Sequence, residues 1–289
     1  MRTGTKKSPM TEPAVTVRRR ILVAVDASTQ SRAALEAGAR LAVTLQADLA
    51  AIFVEDADLL RLAQLPFARE VVPGLPSRRV ADALAMERSL RRLAEHARSE
   101  LEELSSRYRI ACSFTSVRGH VLTELLAAAS GADIVALGVR GRLFELDQRL
   151  GRTARGVLAS ATCSILVVRQ GEVLGTPVVA LYDGTPFAER VLRAAAELAH
   201  LGDGRLVVVT TEPKPSSLTA QEQLPQAMLA GLDVEFHSVD SAQAGQLPEL
   251  LARVGCGILV LSHASPLLQA DAAALPGDPR LRCPILVVR

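Results

Sequence analysis

No tryptophan occurs anywhere in this chain, and two tyrosines and six phenylalanines are its only aromatic residues besides histidine. Stacking of single-stranded nucleic acid therefore has no platform to rest on. An excess of charge is missing as well: 33 Lys and Arg face 31 Asp and Glu, a formal net charge of +2. That balance excludes a dedicated nucleic-acid surface. Cysteine is sparse. Cys112, Cys163, Cys256 and Cys283 form no CxxC and fit no zinc spacing, so they read as buried, reduced thiols. Long apolar runs are also missing. Asp26 stops the run from Ile21 too early for a secretion signal, and no segment approaches a membrane span. The expectation is a soluble, cytoplasmic protein that meets neither nucleic acid nor a membrane. Residues 1–17 lack an apolar core and read as a disordered tail.

What is present is aliphatic: 49% of the chain is hydrophobic, carried by alanine, leucine and valine. Ile21–Val25 reads as a strand ended by Asp26. Ser28 or Thr29 then caps a helix with Ala34, Leu35, Ala39, Leu41 and Ala42 on its inner side. Leu49–Val54 is a second strand. The stretch 55–77 reads as irregular, with Leu59, Leu60, Leu62, Leu65 and Phe67 beside Pro66. It is a lid, an interaction patch, or packing for the helix that follows. That helix is expected from about Arg78 to Tyr108, on a stripe through Leu90, Ala97, Leu101 and Leu104. Ile110–Val117 is a third strand, Gly119 opens a helix, and Ala132–Leu137 is a fourth, buried strand.

The chain then repeats itself. Cys163–Arg169 returns as Cys283–Arg289, Asp26–Ala42 aligns without gaps on Asp183–Ala199, and Ile134–Gly138 aligns on Ile258–Ser262. Ordered matches over so long a period indicate a duplicated domain. The boundaries fall at 18–169 for the first unit, 170–176 for a linker and 177–289 for the second. Strand and helix alternate in each unit, which specifies a parallel sheet with right-handed crossovers.

The stretch from Gly138 to Thr153 follows the fourth strand and leads into a helix. A glycine loop in that place can hold phosphate, because bare backbone and the first free N–H groups of the helix face the anion. Its glycines are Gly138, Gly141 and Gly151, spaced Gly-x-x-Gly-x9-Gly, followed by Arg152 and Thr153. This resembles the nucleotide loop of the universal stress protein family, with Arg152 where that family commonly has a hydroxyl residue. The resemblance runs from Arg18 to the end of the chain, as a tandem pair. It implies an α/β fold of two doubly wound, parallel, five-stranded sheets in strand order 3-2-1-4-5, like the adenine nucleotide alpha-hydrolases. It also implies an ATP or other adenine-nucleotide site from Asp26, Ala27, Val54, Gly138, Arg140, Gly141, Gly151, Arg152 and Thr153. Members dimerise through the last strand, which implies an intramolecular pseudo-dimer of Ile165–Val168 against Ile285–Val288.

Two readings stay open for the site residues. Asp26 accepts from ribose or adenine, or it caps the first helix. Arg140, Arg142, Arg152 and Arg155 grip phosphate, or they are solvated charges pairing with Glu145 and Asp147. The second copy has lost the glycine loop. It reads Ser262-His263-Ala264-Ser265 after its fourth strand and is expected to be a degenerate, structural domain with His263 as a surface or capping residue. His96 and His120 are read as helical residues without partners. The function implied is a stress-response regulator in which nucleotide acts as a switch read by a protein partner. The alternatives are a nucleotide-free interaction protein and a weak ATPase. No nucleophile or acid–base pair stands out, and Asp26–Ser31 matches the loop of the ATP pyrophosphatases poorly, so catalysis is not favoured.

Overall fold

The computed structural model describes residues 18–65, 67–70, 79–80, 82–139, 150–211, 226–239, 245–269 and 274–289. Strand β1 (Arg20–Val25) leads into helix α1 (Thr29–Leu45). Ser28 caps this helix, its side chain accepting from the N–H of Ser31, and Gln46 ends it in the left-handed conformation. Gly38 lets α1 lie close on the sheet: a Cβ there would stand 2.9 Å from Cγ2 of Val23.

Strand β2 (Asp48–Asp56) follows, then α2 (Ala57–Ala63), capped by Asp56. The stretch expected to be irregular thus begins with extended strand and a helix. Leu60 is buried in the same apolar cluster as Leu90 and Ala94 of the next long helix, whereas Leu62 and Phe67 are 54% and 74% exposed. Short strands β3 (Arg69–Glu70) and β4 (Arg79–Val80) pair with each other. Helix α3 (Ala83–Tyr108) starts at the Asp82 cap, later than the expected Arg78. Its buried stripe is Leu90, Ala94, Ala97, Leu101 and Leu104.

The first half closes with β5 (Cys112–Gly119), α4 (Val121–Ala129), β6 (Ile134–Gly138), α5 (Arg152–Ser160) and β7 (Ser164–Val168). The second half runs β8 (Val178–Tyr182), α6 (Ala188–Leu201), β9 (Arg205–Thr210), α7 (Gln226–Leu229), β10 (Asp233–Ser238), α8 (Leu247–Val254) and β11 (Ile258–Ser262). Two short helices, Pro266–Gln269 and Ala274–Gly277, precede β12 (Ile285–Val288).

The strands lie in the order β10-β9-β8-β11-β12-β7-β6-β1-β2-β5. Each half is thus a parallel five-stranded sheet in the order 3-2-1-4-5, as the resemblance implied. The halves join edge to edge through β7 and β12, which pair antiparallel with Leu166 opposite Leu286. These two residues are equivalent in the repeat, so the joint has the local symmetry of an isologous dimer. Apolar side chains alternate across it. Leu166 and Leu286 belong to the face covered by α1, α3 and α6, while Ile165, Val167, Ile285 and Val287 belong to the face covered by α4, α5 and α8. All six are at most 3% exposed, and each contributes about 1.5–3 kcal/mol of burial, an upper bound for a chain already partly collapsed when unfolded.

Arginines extend the joint. Arg169, just past β7, donates to the carbonyls of Pro276 (2.6 Å), Asp278 (2.5 Å) and Leu281 (3.2 Å) in the other half. Its repeat equivalent, Arg289, reaches back to the carbonyl of Leu158 in the last turn of α5. The intervening 170–176 is tied to both halves: Gln170 N donates to Gln30 Oε1 and Gly175 N to the Gly257 carbonyl.

Candidate functional site

In an open parallel sheet, ligands sit beyond the carboxyl ends of the strands where the strand order reverses. In the first half that point lies between β1 and β6, which pair with Val23 opposite Ala136. Asp26 follows β1 and Gly138 closes β6. Val54 lies one strand away, next to Phe53, which stands opposite Val25. Gly151 is drawn in by its N–H, which donates to the carbonyl of Val139 at 2.8 Å. Asp26, Ala27, Val54, Gly138, Gly151, Arg152 and Thr153 therefore gather at one end of the sheet. Arg140 and Gly141 lie outside the described residues, as do Arg142, Glu145 and Asp147.

Asp26 is half-buried and does not cap α1. Ser28 does that, while Asp26 Oδ1 accepts from Ser28 N at 3.0 Å and so folds the turn after β1. The turn needs Ala27 at φ 58°, a left-handed conformation that a Cβ opposes. Gly138 serves packing as well as any ligand. A Cβ there would stand 2.9 and 3.0 Å from the backbone C and O of Gln30, so the first turn of α1 lies almost on the strand. Gly151 begins α5 without a side-chain cap, and the first turn of α5 holds no acidic residue. Its N–H groups and partial positive charge thus lie at the crevice end of the sheet, with no carboxylate in that turn. Arg152 is exposed. Arg155 Nη2 donates to the Leu150 carbonyl at 2.9 Å, which makes it an anchor for the loop's end as well as a charge.

The expected isolation of His120 is overturned. It precedes α4 and its Nδ1 lies 3.1 Å from Asp58 Oδ2, joining α4 to α2. His96 lies 3.5 Å from Glu100 on its own helix. Arg118 on β5 bonds Glu55 (2.8 Å) and Glu87 (2.6 Å). Arg118 holds the Glu87 carboxyl below its ordinary range, chiefly through that hydrogen bond, and is itself pushed up. The sequence carried no signal for this cluster, because Glu55 and Arg118 meet only through the β2–β5 register.

Residues 18–169, more than half of the chain, match the Universal stress protein family. This chain belongs to that family. A universal stress protein from Archaeoglobus fulgidus has 15% identity and a TM-score of 0.71 over 93% of this chain and 98% of its own. A protein of the same family from Pseudomonas aeruginosa has 18% identity and a TM-score of 0.55 over 94% of this chain and 93% of its own. At these identities the likeness establishes the fold, and it extends through both halves. No curated protein matches the chain.

The second half shows the same turn with different contents. Asp183 Oδ1 accepts from Thr185 N (3.2 Å) and Oγ1 (2.7 Å), and Gly184 holds φ 67° where the first unit has Ala27. Phe187 stands in the place of Gln30 and Ser262 in that of Gly138. The Phe187 ring meets His263 edge-on with centroids 4.7 Å apart, and His263 Nδ1 lies 3.3 Å from the Val288 carbonyl. Ser262 Oγ accepts from Ala264 N at 3.0 Å. Side chains thus stand where the first unit has glycine backbone. Among the described residues, no cluster of His, Cys, Asp and Glu could hold a metal ion, and no helix is long and apolar enough to cross a membrane.

Proposed function

We propose that the unit 18–169 binds an adenine nucleotide, ATP foremost, and that the bound state is a switch read by a protein partner. The unit 177–289, with 170–176 between them, supports it without a nucleotide of its own. The observation that carries the reading is the convergence at the β1–β6 crevice of a half-buried carboxylate, Asp26, with the uncapped, acid-free start of α5. The carboxylate suits a ribose hydroxyl or an adenine amino group, and the helix start suits phosphate. Arg152 and Thr153 supply the positive charge and hydroxyl there, and Arg140 and Gly141 would complete the loop.

Calorimetry with ATP, AMP and cAMP on the full chain tests this. Asp26→Ala is expected to weaken binding at least about tenfold, the loss of a hydrogen bond to a charged group at about 1.5–3 kcal/mol. Gly138→Val is not a clean probe, because it strikes the Gln30 backbone. Wild-type protein with no affinity for any of the three nucleotides would remove the reading.

A second reading has its own observation. Leu62, Leu65 and Phe67 are exposed at 54%, 38% and 74% on and after α2. A nucleotide-free interaction protein would use that patch. Leu62→Glu with Phe67→Glu would then abolish partner capture while leaving nucleotide titrations unchanged.

A further inference from the structure

Cys256 and Cys283 are free thiols at the heads of two neighbouring parallel strands. Leu259 stands opposite Ile285, which places Gly257 opposite Cys283 and Cys256 one step earlier. The bond from Leu259 N to the Pro284 carbonyl, 2.9 Å, holds this register. A strand spacing of about 4.8 Å and a rise of about 3.3 Å put the two Cα atoms roughly 5.8 Å apart, inside the disulfide range of about 4.4–6.8 Å. Both side chains pack on the sheet face covered by α8, and the Cys283 thiol raises that of Cys256 above its ordinary range. The first unit supplies the contrast. Cys163 occupies the place of Cys283, but Ala132 occupies the place of Cys256.

We propose that Cys256 and Cys283 are a disulfide-forming pair, a modification site confined to the second unit, oxidised by a low-molecular-weight disulfide. Cys256 is partly buried and Cys283 fully so, which makes Cys256 the more accessible thiol and sets the order of events. The Cys256 thiolate attacks one sulfur of the small disulfide and expels one small thiol. The Cys283 thiolate then attacks the Cys256 sulfur, closes the intramolecular S–S bond and expels the second. The two cysteine protons end on the two small thiols. The cysteine pair loses two electrons and the small disulfide gains them. The facing Cys283 thiol and burial hold the Cys256 thiol well above its ordinary range, so the attack is slow at neutral pH. It accelerates about tenfold per pH unit as the thiolate fraction grows. The bond joins the head of β11 to the head of β12, the strand that makes the joint between halves.

The test incubates the full chain with oxidised glutathione at neutral and mildly alkaline pH. The protein is then quenched in acid, unfolded, alkylated and mapped by mass spectrometry. The expected product is a peptide pair linked through Cys256 and Cys283, formed about tenfold faster per pH unit, with no link to Cys163. Cys283→Ser should leave glutathione on Cys256, and Cys256→Ser should leave Cys283 alkylated. Wild-type protein whose two cysteines remain separately alkylated after long alkaline exposure would overturn the proposal. So would glutathione retained on wild-type Cys256, since Cys283 would then have failed to reach it. The wild-type map decides the matter even if a variant misfolds.

Discussion

Ala27 carries strain that its repeat equivalent avoids. At φ 58° a Cβ costs about 1–2 kcal/mol, whereas Gly184 holds φ 67° without that cost. Ala27→Gly is therefore expected to stabilise the protein by about 0.5–1 kcal/mol, after subtracting the greater unfolded-chain freedom of glycine. Urea unfolding at unchanged slope reads it, and a midpoint that does not rise would mean the turn is relaxed. Gly184→Ala should move the midpoint the other way. Gly138→Ala is expected to destabilise by about 1–3 kcal/mol through overpacking. Gln30→Ala should not rescue it, because the crowding atoms include backbone C and O of residue 30.

Among the elements, the 170–176 connection is where pH should act. Glu172 accepts from Arg169 N at 2.9 Å, yet burial pushes its carboxyl above the ordinary 4.5. A raised folded-state pKa means the folded protein holds the proton more tightly. The stabilising contribution is complete below 4.5 and is lost as pH rises through the folded value. Glu172→Gln should accordingly melt higher than wild type at neutral pH, with the gap closing as pH falls towards 4.5. Thermal melts across that range decide it; a constant gap would assign the effect to packing. Asp203 works in the opposite sense. Arg205, and then Thr176, hold it at about 2, so its contribution is present above 3.8 and fades only below that. The two windows therefore do not overlap.

At the scale of the whole molecule, the β7–β12 pairing turns two sheets into one. The apolar faces run through the joint, and Arg169 and Arg289 each grip backbone of the opposite half. Unfolding of the full chain is expected to be a single calorimetric transition. Leu166→Lys sets an ammonium at the centre of a joint where Leu166 is fully buried. It should separate the melt into two transitions, one for each half. A variant that still melts in one step would show that the halves are coupled by other contacts.

The central strands were legible in the sequence because they are short apolar runs stopped by a polar or glycine residue, as Asp26 stops Ile21–Val25, whereas β3 and β4 carry no such run. The repeat fixed their equivalence, and the family resemblance implied the pairing of Ile165–Val168 against Ile285–Val288. Helix α2 was not legible: its leucines are close to Pro66, and its cap, Asp56, is also the end of a strand. The roles of Gln30, Arg118 and His120 were hidden for a different reason. Their partners, Gly138, Glu55 and Asp58, lie far away in the chain and meet them only through strand register and the seating of α1 and α2. Periodicity along one segment determines which face is apolar. Which residue lies opposite which is decided only when the segments pack.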